Sequence, residues 1–311
     1  MAPFSVKGKT AVITGAGINF AFAQLLLSKG CNVVIADIKL RPEAEAVVSE
    51  HSGGGGGGPG SARAVFVKTD VTAWEDLRNM FDRAVAEFGG FDIVCPGAGV
   101  FEPDASNFWH PPGSSKSRDF VDANHYTALD INLTHPIRAT QLALQYWMRG
   151  GPAAATEPAP KRVVNIASIA GYTPVFPCPL YAAAKFGVVG FTRSLAPLEA
   201  AAGVRVCAVA PGTVSTPMIH EHPDKDGVYD AEQDVLIPVR EVAEAMLLLV
   251  ESEEYAGGTV LEVGAHSTRK VSVWNDPGPS QEPRQGTTLS NLKYKAEAIV
   301  SSLKDGTWQK P

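Results

Sequence analysis

The sequence lacks the features that mark membrane, secreted and metal-binding proteins. No apolar run reaches the roughly 18 residues that a membrane-spanning helix requires, and no apolar signal segment precedes the first expected strand. The 4 cysteines, at positions 31, 95, 178 and 207, are far apart and lie mostly in apolar stretches, without the spacing of metal ligands. We therefore expect no metal site, buried free thiols and a cytoplasmic protein.

An excess of positive charge is also missing. The chain has 27 Lys and Arg against 33 Asp and Glu, a net charge of −6, and shows no basic stripe, so a nucleic-acid partner is not expected. With 311 residues, 45% of them hydrophobic, the chain can bury the core of one large α/β domain with insertions, or of two small domains. No internal repeat points to a second domain.

The first part of the chain has the order strand, glycine turn, helix, strand, acid. Residues 9–14 and 32–36 are continuous apolar runs, and the helical pattern over 20–29 between them ends at Gly30. Strands that are apolar throughout, rather than alternating, indicate a parallel sheet buried on both faces. The sequence therefore predicts an α/β fold with a Rossmann-like, doubly wound parallel sheet.

The turn after the first strand and the acid after the second suit a dinucleotide. Gly15 and Gly17 lie between strand and helix, where glycines let the backbone approach a pyrophosphate at the helix N-terminus. Asp37 follows Gly15 by 22 residues, the place of a carboxylate that binds the ribose hydroxyls and repels a 2′-phosphate. We expect NAD as the cofactor, with NADP as the alternative because Lys39 and Arg41 could soften that repulsion.

The most informative stretch is residues 163–192, VVNIASIAGYTPVFPCPLYAAAKFGVVGFT. Its buried strand ends at Ser168, Tyr181 follows 13 residues later, and Lys185 lies one helical turn beyond Tyr181 on the same helix face. Open α/β sheets keep their active sites at the ends of strands. A hydroxyl, a phenol and an ammonium that converge there can form an acid/base site for an alcohol or a carbonyl group.

This spacing resembles the short-chain dehydrogenase/reductase family, in particular its NAD-preferring, 15-hydroxyprostaglandin-dehydrogenase-like branch. The resemblance covers about residues 7–265 and includes the segments TGAGINFA, PGAGV and PGTVSTPM and, for the branch, residues 236–263. It implies an NAD(P)-dependent oxidoreductase in which Tyr181 is the general acid and base and Ser168 binds the substrate oxygen. Lys185 would stabilise the phenolate and hold the cofactor ribose, and Asn132 would hold a water in a proton relay. The cofactor-binding residues that the resemblance implies are Gly15, Gly17, Ile18, Asn19, Asp37, Asp70, Val71, Gly97, Ala98, Gly99, Tyr181, Lys185, Pro211, Gly212, Val214 and Thr216.

Two segments depart from the family pattern. The glycine turn usually reads TGxxxGxG; here either Asn19 and Ala21 stand at its second and third glycine positions, or the loop is two residues shorter. The family's NNAG segment reads PGAG, so Pro96 and Gly97 replace asparagines that hydrogen-bond to the sheet. Two alternatives therefore stay open: a same-fold enzyme for a non-redox step such as isomerisation or cyclisation, and a catalytically silent dinucleotide-binding protein.

The implied substrate is a secondary alcohol or ketone on an apolar skeleton, such as the fatty-acid-derived, terpenoid, steroid or polyketide compounds of secondary metabolism. An irregular insertion over residues 101–126 brings Phe101, Phe108 and Trp109, which either line such a substrate or only hold the insertion in place. The expected apolar wall beside the tyrosine consists of Val175, Phe176, Pro177 and Leu180.

Several further elements are expected. They are a continuous helix over 128–148, an extension of the tyrosine helix through 186–200, and a sheet complete by about residue 265. Residues 1–266 would form the dinucleotide-binding domain that contains the active site, and 267–311 a C-terminal extension with a weakly amphipathic helix over 289–303. The resemblance also implies a homodimer or homotetramer, joined through the helices that begin at Ala128 and that carry Tyr181.

Overall fold

A computed structural model describes residues 4–52, 61–148, 160–221 and 235–272, together with the helical positions Glu297, Val300, Ser301, Lys304 and Asp305. The sequence also predicts glycine-rich loops over 53–60 and 150–160 and a polar segment over 220–237. Residues 53–60 lie outside the described residues, as do most of 150–160, most of 220–237 and most of the helix expected over 289–303.

The described residues form one sheet of eight strands in the order β3-β2-β1-β4-β5-β6-β7-β8. All neighbouring pairs are parallel except β7 and β8, which are antiparallel. The strands are β1 (Thr10–Thr14), β2 (Asn32–Asp37), β3 (Ala64–Lys68), β4 (Ile93–Pro96), β5 (Lys161–Ile166), β6 (Val204–Pro211), β7 (Val260–Gly264) and β8 (Ser267–Lys270).

Helices cover both faces of this sheet. They are α1 (Ile18–Ser28), α2 (Pro42–Glu50), α3 (Trp74–Phe88), α4 (Thr127–Leu129), a π-helical turn (Asp130–Thr134), α5 (His135–Met148), a 3₁₀ turn (Ile169–Gly171), α6 (Pro179–Ser194), α7 (Leu198–Ala202), α8 (Pro217–His220) and α9 (Val239–Glu251).

The core has one layer on each side of the sheet. Ile13 and Ile35 pack with Phe22 of α1 and Met246 of α9, while Val12 belongs to the opposite cluster with α3 and α5. Successive side chains of a strand point to opposite faces, so a strand covered on both sides needs apolar residues throughout. The predicted doubly wound α/β fold is therefore confirmed.

The strand order reverses between β1 and β4, which both lie in the middle of the sheet. Such a switch point leaves a crevice at the carboxyl ends of the strands, where ligands bind in open α/β sheets. Gly15 follows β1 and Gly97 follows β4, so two of the predicted cofactor segments lie side by side there.

The helix expected over 128–148 is present from Thr127 to Met148, but it is not α-helical throughout. The chain forms α4, then the π-helical turn that contains Asn132, and only then α5. Pro136 has no N–H and cannot close the α-helical bond to the Asn132 carbonyl, so the helix must widen at that point. The sequence signal for this π-helical turn is the proline itself.

Two other expectations need correction. The tyrosine helix ends at Ser194, and α7 is a separate helix, because Pro197 cannot continue the hydrogen-bonding of the preceding turn. The sheet is not complete at residue 265, since β8 follows in a tight hairpin and pairs with β7 from Leu261 to Gly264. Among the described residues, no helix is long and apolar enough to cross a membrane.

Candidate active site

The structure brings Ser168, Tyr181 and Lys185 together at the carboxyl edge of the sheet. Ser168 directly follows β5, and α6 carries the other two side chains on one face. The Ser168 hydroxyl oxygen accepts the Ala170 N–H at 3.2 Å, and the side chain lies near enough to the Tyr181 phenol to lower its pKa. The Lys185 Nζ lies 5.4 Å from the centre of the Tyr181 ring and donates a hydrogen bond of 2.8 Å to the Ile166 carbonyl. The hydroxyl, phenol and ammonium thus form one cluster.

Burial dominates the electrostatics of this cluster. It raises the pKa of Tyr181 above its ordinary value, and the nearby Ser168 side chain opposes that rise in part. Burial also lowers the pKa of Lys185 to about 8, which leaves the amine mostly protonated at neutral pH. The two shifts move the pKa values apart, so at neutral pH the lysine is the charged group and the phenol keeps its proton, and perturbed pKa values of this kind are typical of functional sites.

Asn132 lies beside this cluster in the π-helical turn and is 2% exposed. Its side chain pairs with the backbone of Val100: Nδ2 donates to the Val100 carbonyl at 2.9 Å, and Oδ1 accepts from the Val100 N–H at 3.0 Å. A Cβ on Gly99 would come within 3.0 Å of Oδ1. The asparagine side chain therefore fixes the segment that follows β4.

Only three residues, Gly15 to Gly17, join β1 to α1. Gly15 has φ of +80°, and a Cβ there would lie 2.7 Å from the Ala98 Cα, so both conformation and space require glycine. Gly17 is the N-cap of α1, makes no side-chain cap and faces open space. The Phe20 N–H donates to the Gly17 carbonyl at 3.1 Å, so the N–H groups of Ile18 and Asn19 are the ones available to an anion.

Relative to the family pattern, Asn19 stands where a glycine is usual and Gly97 stands where an asparagine is usual. Asn19 is buried in the first turn of α1, where its Nδ2 donates to the Thr14 carbonyl at 2.8 Å and its Oδ1 accepts from the Cys95 thiol at 3.4 Å. A Cβ on Gly97 would lie 1.8 Å from that Nδ2. Asn19 on α1 thus provides a side-chain amide where the family pattern has an asparagine at the end of β4. Its hydrogen bonds to β1 and β4 replace those that Gly97 cannot make.

Thr14 and His135 form a buried network under the glycine turn that the sequence did not suggest. The Thr14 hydroxyl oxygen accepts from the N–H groups of Gly97 at 2.9 Å and Ala98 at 3.2 Å, and lies 3.0 Å from His135 Nε2. The hydroxyl proton then points to Nε2, which leaves Nδ1–H to donate to the Ile131 carbonyl at 3.1 Å. Burial lowers the pKa of His135 to about 4, so the imidazole is neutral.

The residues expected near the adenosine lie at the ends of β2 and β3. Asp37 Oδ2 accepts a 2.7 Å hydrogen bond from the Ala16 N–H, which ties the short glycine turn to this acid. Asp70 is exposed and accepts from the N–H and hydroxyl of Thr72, whereas Val71 is buried. Asp37 is therefore both a ribose candidate and a support for the turn.

The segment after β6 holds its predicted residues in fixed positions. Pro211 ends the strand, and the Gly212 N–H donates to the Val263 carbonyl at 3.0 Å. Val214 bridges to Ile237 and is buried, as is Thr216, which is the N-cap of α8. This segment lies beside β5 and the Ser168 end of the sheet, because β5 and β6 are neighbours.

The insertion over 101–126 touches both helices of the site. Phe101 packs edge-on against the Tyr181 ring at 5.0 Å, and the Trp109 ring lies 5.0 Å from Phe176. Glu102 accepts from the Tyr181 N–H, and Asp119 accepts from the N–H and hydroxyl of Thr127 at the start of α4.

These two acids were missed from the sequence. Glu102 binds a helix 79 residues along the chain, and Asp119 binds one 8 residues along the chain from within an irregular insertion, so no periodic spacing predicts either contact. Among the described residues, no group of three or more His, Cys, Asp or Glu side chains could hold a metal ion.

The arrangement fits a nicotinamide dinucleotide. A glycine turn without side chains leads into an uncapped helix N-terminus, an acid follows β2, and an acid/base cluster lies at the other end of the same edge. The residues that could hold the cofactor lie along the carboxyl edges of β1 to β6 in one continuous line.

Comparison with known proteins agrees with this geometry. The profile of the family described as short chain dehydrogenase matches residues 9–227. Cis-4-hydroxycyclohexanecarboxylate dehydrogenase of Sinomonas cyclohexanicum is 33% identical over 261 residues, covering 82% of this chain and 94% of the relative. The NAD(+)-dependent 15-hydroxyprostaglandin dehydrogenase of Homo sapiens is 33% identical over 222 residues, covering 69% of this chain and 71% of the relative.

A solved structure has the same fold. The 3-ketoacyl-(acyl-carrier-protein) reductase of Brucella melitensis, complexed with NADH, matches with a TM-score of 0.65 and 25% identity over 83% of this chain and 98% of that chain. The predicted family is confirmed by the profile match and by relatives of more than 30% identity. The chain belongs to the short-chain dehydrogenase family.

Proposed function

We propose that the protein is an NAD-dependent oxidoreductase that interconverts a secondary alcohol and a ketone on an apolar substrate. The observation that carries this proposal is the contact of Ser168 with Tyr181 and the placement of Lys185 beneath the Tyr181 ring, next to a dinucleotide-type turn. Family membership supports the same chemistry. The bound nicotinamide would accept the hydride in oxidation and supply it in reduction.

The chain's own residues would handle the proton and the developing charge. Ser168 donates a hydrogen bond to the substrate oxygen and stabilises its negative charge. Tyr181 removes the hydroxyl proton in oxidation and returns it in reduction. Its raised pKa makes the phenolate costly, so the ammonium of Lys185 must stabilise the phenolate electrostatically. Lys185 is buried and close enough for that role.

Asn132 would serve the proton relay through its backbone. Its side chain is engaged with both polar groups of Val100. Its carbonyl, in contrast, cannot receive the usual helical N–H because Pro136 has none. We therefore assign the water-holding role to the Asn132 carbonyl in the π-helical turn, which lies beside α6.

The cofactor would lie along the carboxyl edge of the sheet. The N-terminus of α1, with Gly15, Gly17, Ile18 and the supporting Asn19, receives the pyrophosphate. Asp37 Oδ2 accepts the Ala16 N–H at 2.7 Å, and Oδ1 accepts only a long bond of 3.4 Å from the Lys39 N–H. Oδ1 would therefore also accept a ribose hydroxyl, and the carboxylate would disfavour a 2′-phosphate. The remaining contacts are proposed for Asp70, Val71, Gly97, Ala98, Gly99, Tyr181, Lys185, Pro211, Gly212, Val214 and Thr216.

The substrate would meet an aromatic surface beside the phenol. Phe101 packs on Tyr181, and Trp109 is held on Phe176 by ring contact and by a 3.3 Å hydrogen bond from its indole N–H to the Phe176 carbonyl. Phe108, Trp109 and Phe176 are all exposed although apolar, which indicates a surface that a ligand covers. Both relatives named above are dehydrogenases of hydroxylated, largely hydrocarbon compounds. We infer an apolar alcohol of the kind found in secondary metabolism.

We also propose a homodimer or homotetramer in the cytoplasm. Ile137 of α5 and Phe186 of α6 are exposed apolar residues on the two helices expected at the interface. The 4 cysteines are free and buried, as in a reducing compartment. Residues 1–266 would be the catalytic domain and 267–311 an extension of it, and light scattering that reports a monomer would contradict the assembly.

The decisive experiment titrates the purified protein with NAD and NADP and then assays a panel of apolar secondary alcohols. We expect saturable NAD binding, weaker NADP binding, and a loss of about 10²- to 10⁴-fold in turnover for Tyr181→Phe. Tyr172→Phe is the matched control, because its hydroxyl bonds to Glu262 at the far edge of the sheet. If neither dinucleotide binds, the hydride-transfer proposal is lost; if Tyr181→Phe keeps its turnover, the proton-transfer role is wrong.

A further inference from the structure

The helix that carries Tyr181 and Lys185 has no cap of its own. Its N-cap residue Cys178 makes no side-chain hydrogen bond, and the first turn of α6 contains no acid. A helix N-terminus leaves several N–H groups unpaired and carries partial positive charge, so it calls for an acceptor, preferably an anionic one. Tyr181 is itself in this first turn, where loss of order would move the phenol.

A side chain from the insertion supplies that acceptor. Glu102 Oε2 accepts the Tyr181 N–H at 2.8 Å, across 79 residues of sequence. The other oxygen, Oε1, accepts the Phe108 N–H at 3.0 Å, and the Glu102 carbonyl accepts from Asn107 Nδ2 at 2.9 Å. One buried carboxylate thus joins the catalytic helix to the aromatic part of the insertion.

Two further observations indicate that Glu102 has a functional role at this position. It is 4% exposed, and the hydrogen bonds and ion pairs of the described residues give it no cationic partner. Its φ is +35°, a conformation that residues other than glycine rarely adopt. Buried charge and backbone strain together are disfavoured unless the surroundings impose them, and they concentrate at functional sites.

We propose that Glu102 is a positioning residue that fixes the Tyr181 phenol and the substrate-facing aromatic residues at a set position relative to each other. Phe101 precedes it and packs on the Tyr181 ring, while Phe108, bonded to Oε1, packs against Trp109. A shift of Glu102 therefore moves the proton-transfer group and the aromatic surface together. This inference rests on the proposed function, in which Tyr181 transfers the proton.

The geometry requires a carboxylate rather than an amide. Each of its two oxygens accepts a backbone N–H. A glutamine offers one oxygen and one NH₂, so one of the two N–H groups would face another donor. Glu102→Gln keeps at most one of the two contacts, and Glu102→Ala keeps neither.

The test compares Glu102→Gln and Glu102→Ala with Asn124→Gly. Asn124 is the matched control because it lies in the same insertion, also has a positive φ, at +59°, and is exposed. We measure NAD affinity, melting temperature, the pH dependence of kcat/KM, and hydrogen exchange of the Tyr181 amide. We expect faster Tyr181 exchange and a raised KM in both Glu102 variants, and for Glu102→Ala a loss of about a hundredfold in kcat.

The pH profile separates positioning from a general loss of structure. If Tyr181 moves away from Ser168, the interaction that lowers the pKa of the phenol is lost, and the limb of the profile due to Tyr181 moves to higher pH. The NAD affinity of the Glu102 variants should stay as in the parent protein. The pH profile of kcat/KM of Asn124→Gly should also match that of the parent protein.

Two results would overturn the proposal. One is Tyr181 amide exchange unchanged in both Glu102 variants. The other is a fall in kcat matched by lost folded protein, with the pH limb unmoved, which would make Glu102 a stability residue only. If the parent protein binds NAD but turns over no alcohol in the panel, the proposed function fails while amide exchange still decides the role of Glu102.

Discussion

Substitution of Gly97 by alanine should reveal how tightly the strand end is fitted to α1. The new Cβ would lie 1.8 Å from Asn19 Nδ2, 2.7 Å from Asn19 Cγ and 2.8 Å from Ile166 Cγ1. The Asn19 amide would have to leave its place, although it donates to the Thr14 carbonyl and accepts from the Cys95 thiol. Overpacking costs about 1–3 kcal/mol, and a buried amide without partners adds a similar amount.

We expect Gly97→Ala to lower the free energy of unfolding by about 3 kcal/mol, which is roughly 6 °C in melting temperature for a chain of this size. The measurement is urea and thermal unfolding of the protein without cofactor. Gly190→Ala is the control, because a Cβ at that helical position meets nothing within 4 Å and should leave stability unchanged or higher.

The double variant Asn19→Ala/Gly97→Ala measures the coupling between these two positions. With the amide removed, the alanine Cβ meets mainly Ile166, so the double variant should be more stable than the sum of the single changes by about 2 kcal/mol. Additive losses, or a Gly97→Ala protein that melts with the parent, would refute the idea that Asn19 occupies the space above Gly97.

Three other outcomes follow from the charges and hydrogen bonds of the site. Lys185→Met should abolish turnover yet raise stability at pH 7 by about 3 kcal/mol, since burial lowers the pKa of this lysine from 10.5 to about 8; unfolding curves check it. Burial lowers the pKa of His135 to about 4 and keeps the imidazole neutral, so its contribution to the free energy of unfolding is present above pH 6.5 and lost as the pH falls toward 4. In His135→Phe the free energy of unfolding should vary by about 3 kcal/mol less across that pH range. Asp37→Ala should weaken NAD binding about tenfold and narrow the preference over NADP, as measured by fluorescence titration of both dinucleotides.

The order of elements and the chemical cluster could be predicted from the sequence because both rest on local patterns. The apolar runs before Gly15 and before Asp37 predict buried parallel strands, and the four-residue spacing of Tyr181 and Lys185 places both on one helix face. Helix breaks were missed where periodicity outweighed a single residue. Pro197 separates two helices that the apolar pattern alone would join, and Pro136 widens a helix into a π-helical turn.

Long-range contacts could not be predicted in the same way. Nothing in the sequence pairs Glu102 with Tyr181 or Asn19 with Gly97, because each pair meets only after the sheet has formed. Considered separately, Asn19 departs from the glycine-turn pattern, and Gly97 departs from the NNAG pattern. Together they are one exchange of volume between a helix and a strand end.

The hairpin of β7 and β8 affects how copies of this protein can meet. The four residues of β8 are all exposed, and Arg269 and Lys270 project cations that are partly neutralised by Glu262 and Glu254. A short, exposed edge strand with basic side chains is a poor template for a strand of another molecule. Growth of the sheet from one copy into the next is therefore discouraged at this edge. A chain that ended before Ser267 would leave the backbone of β7 open and should aggregate.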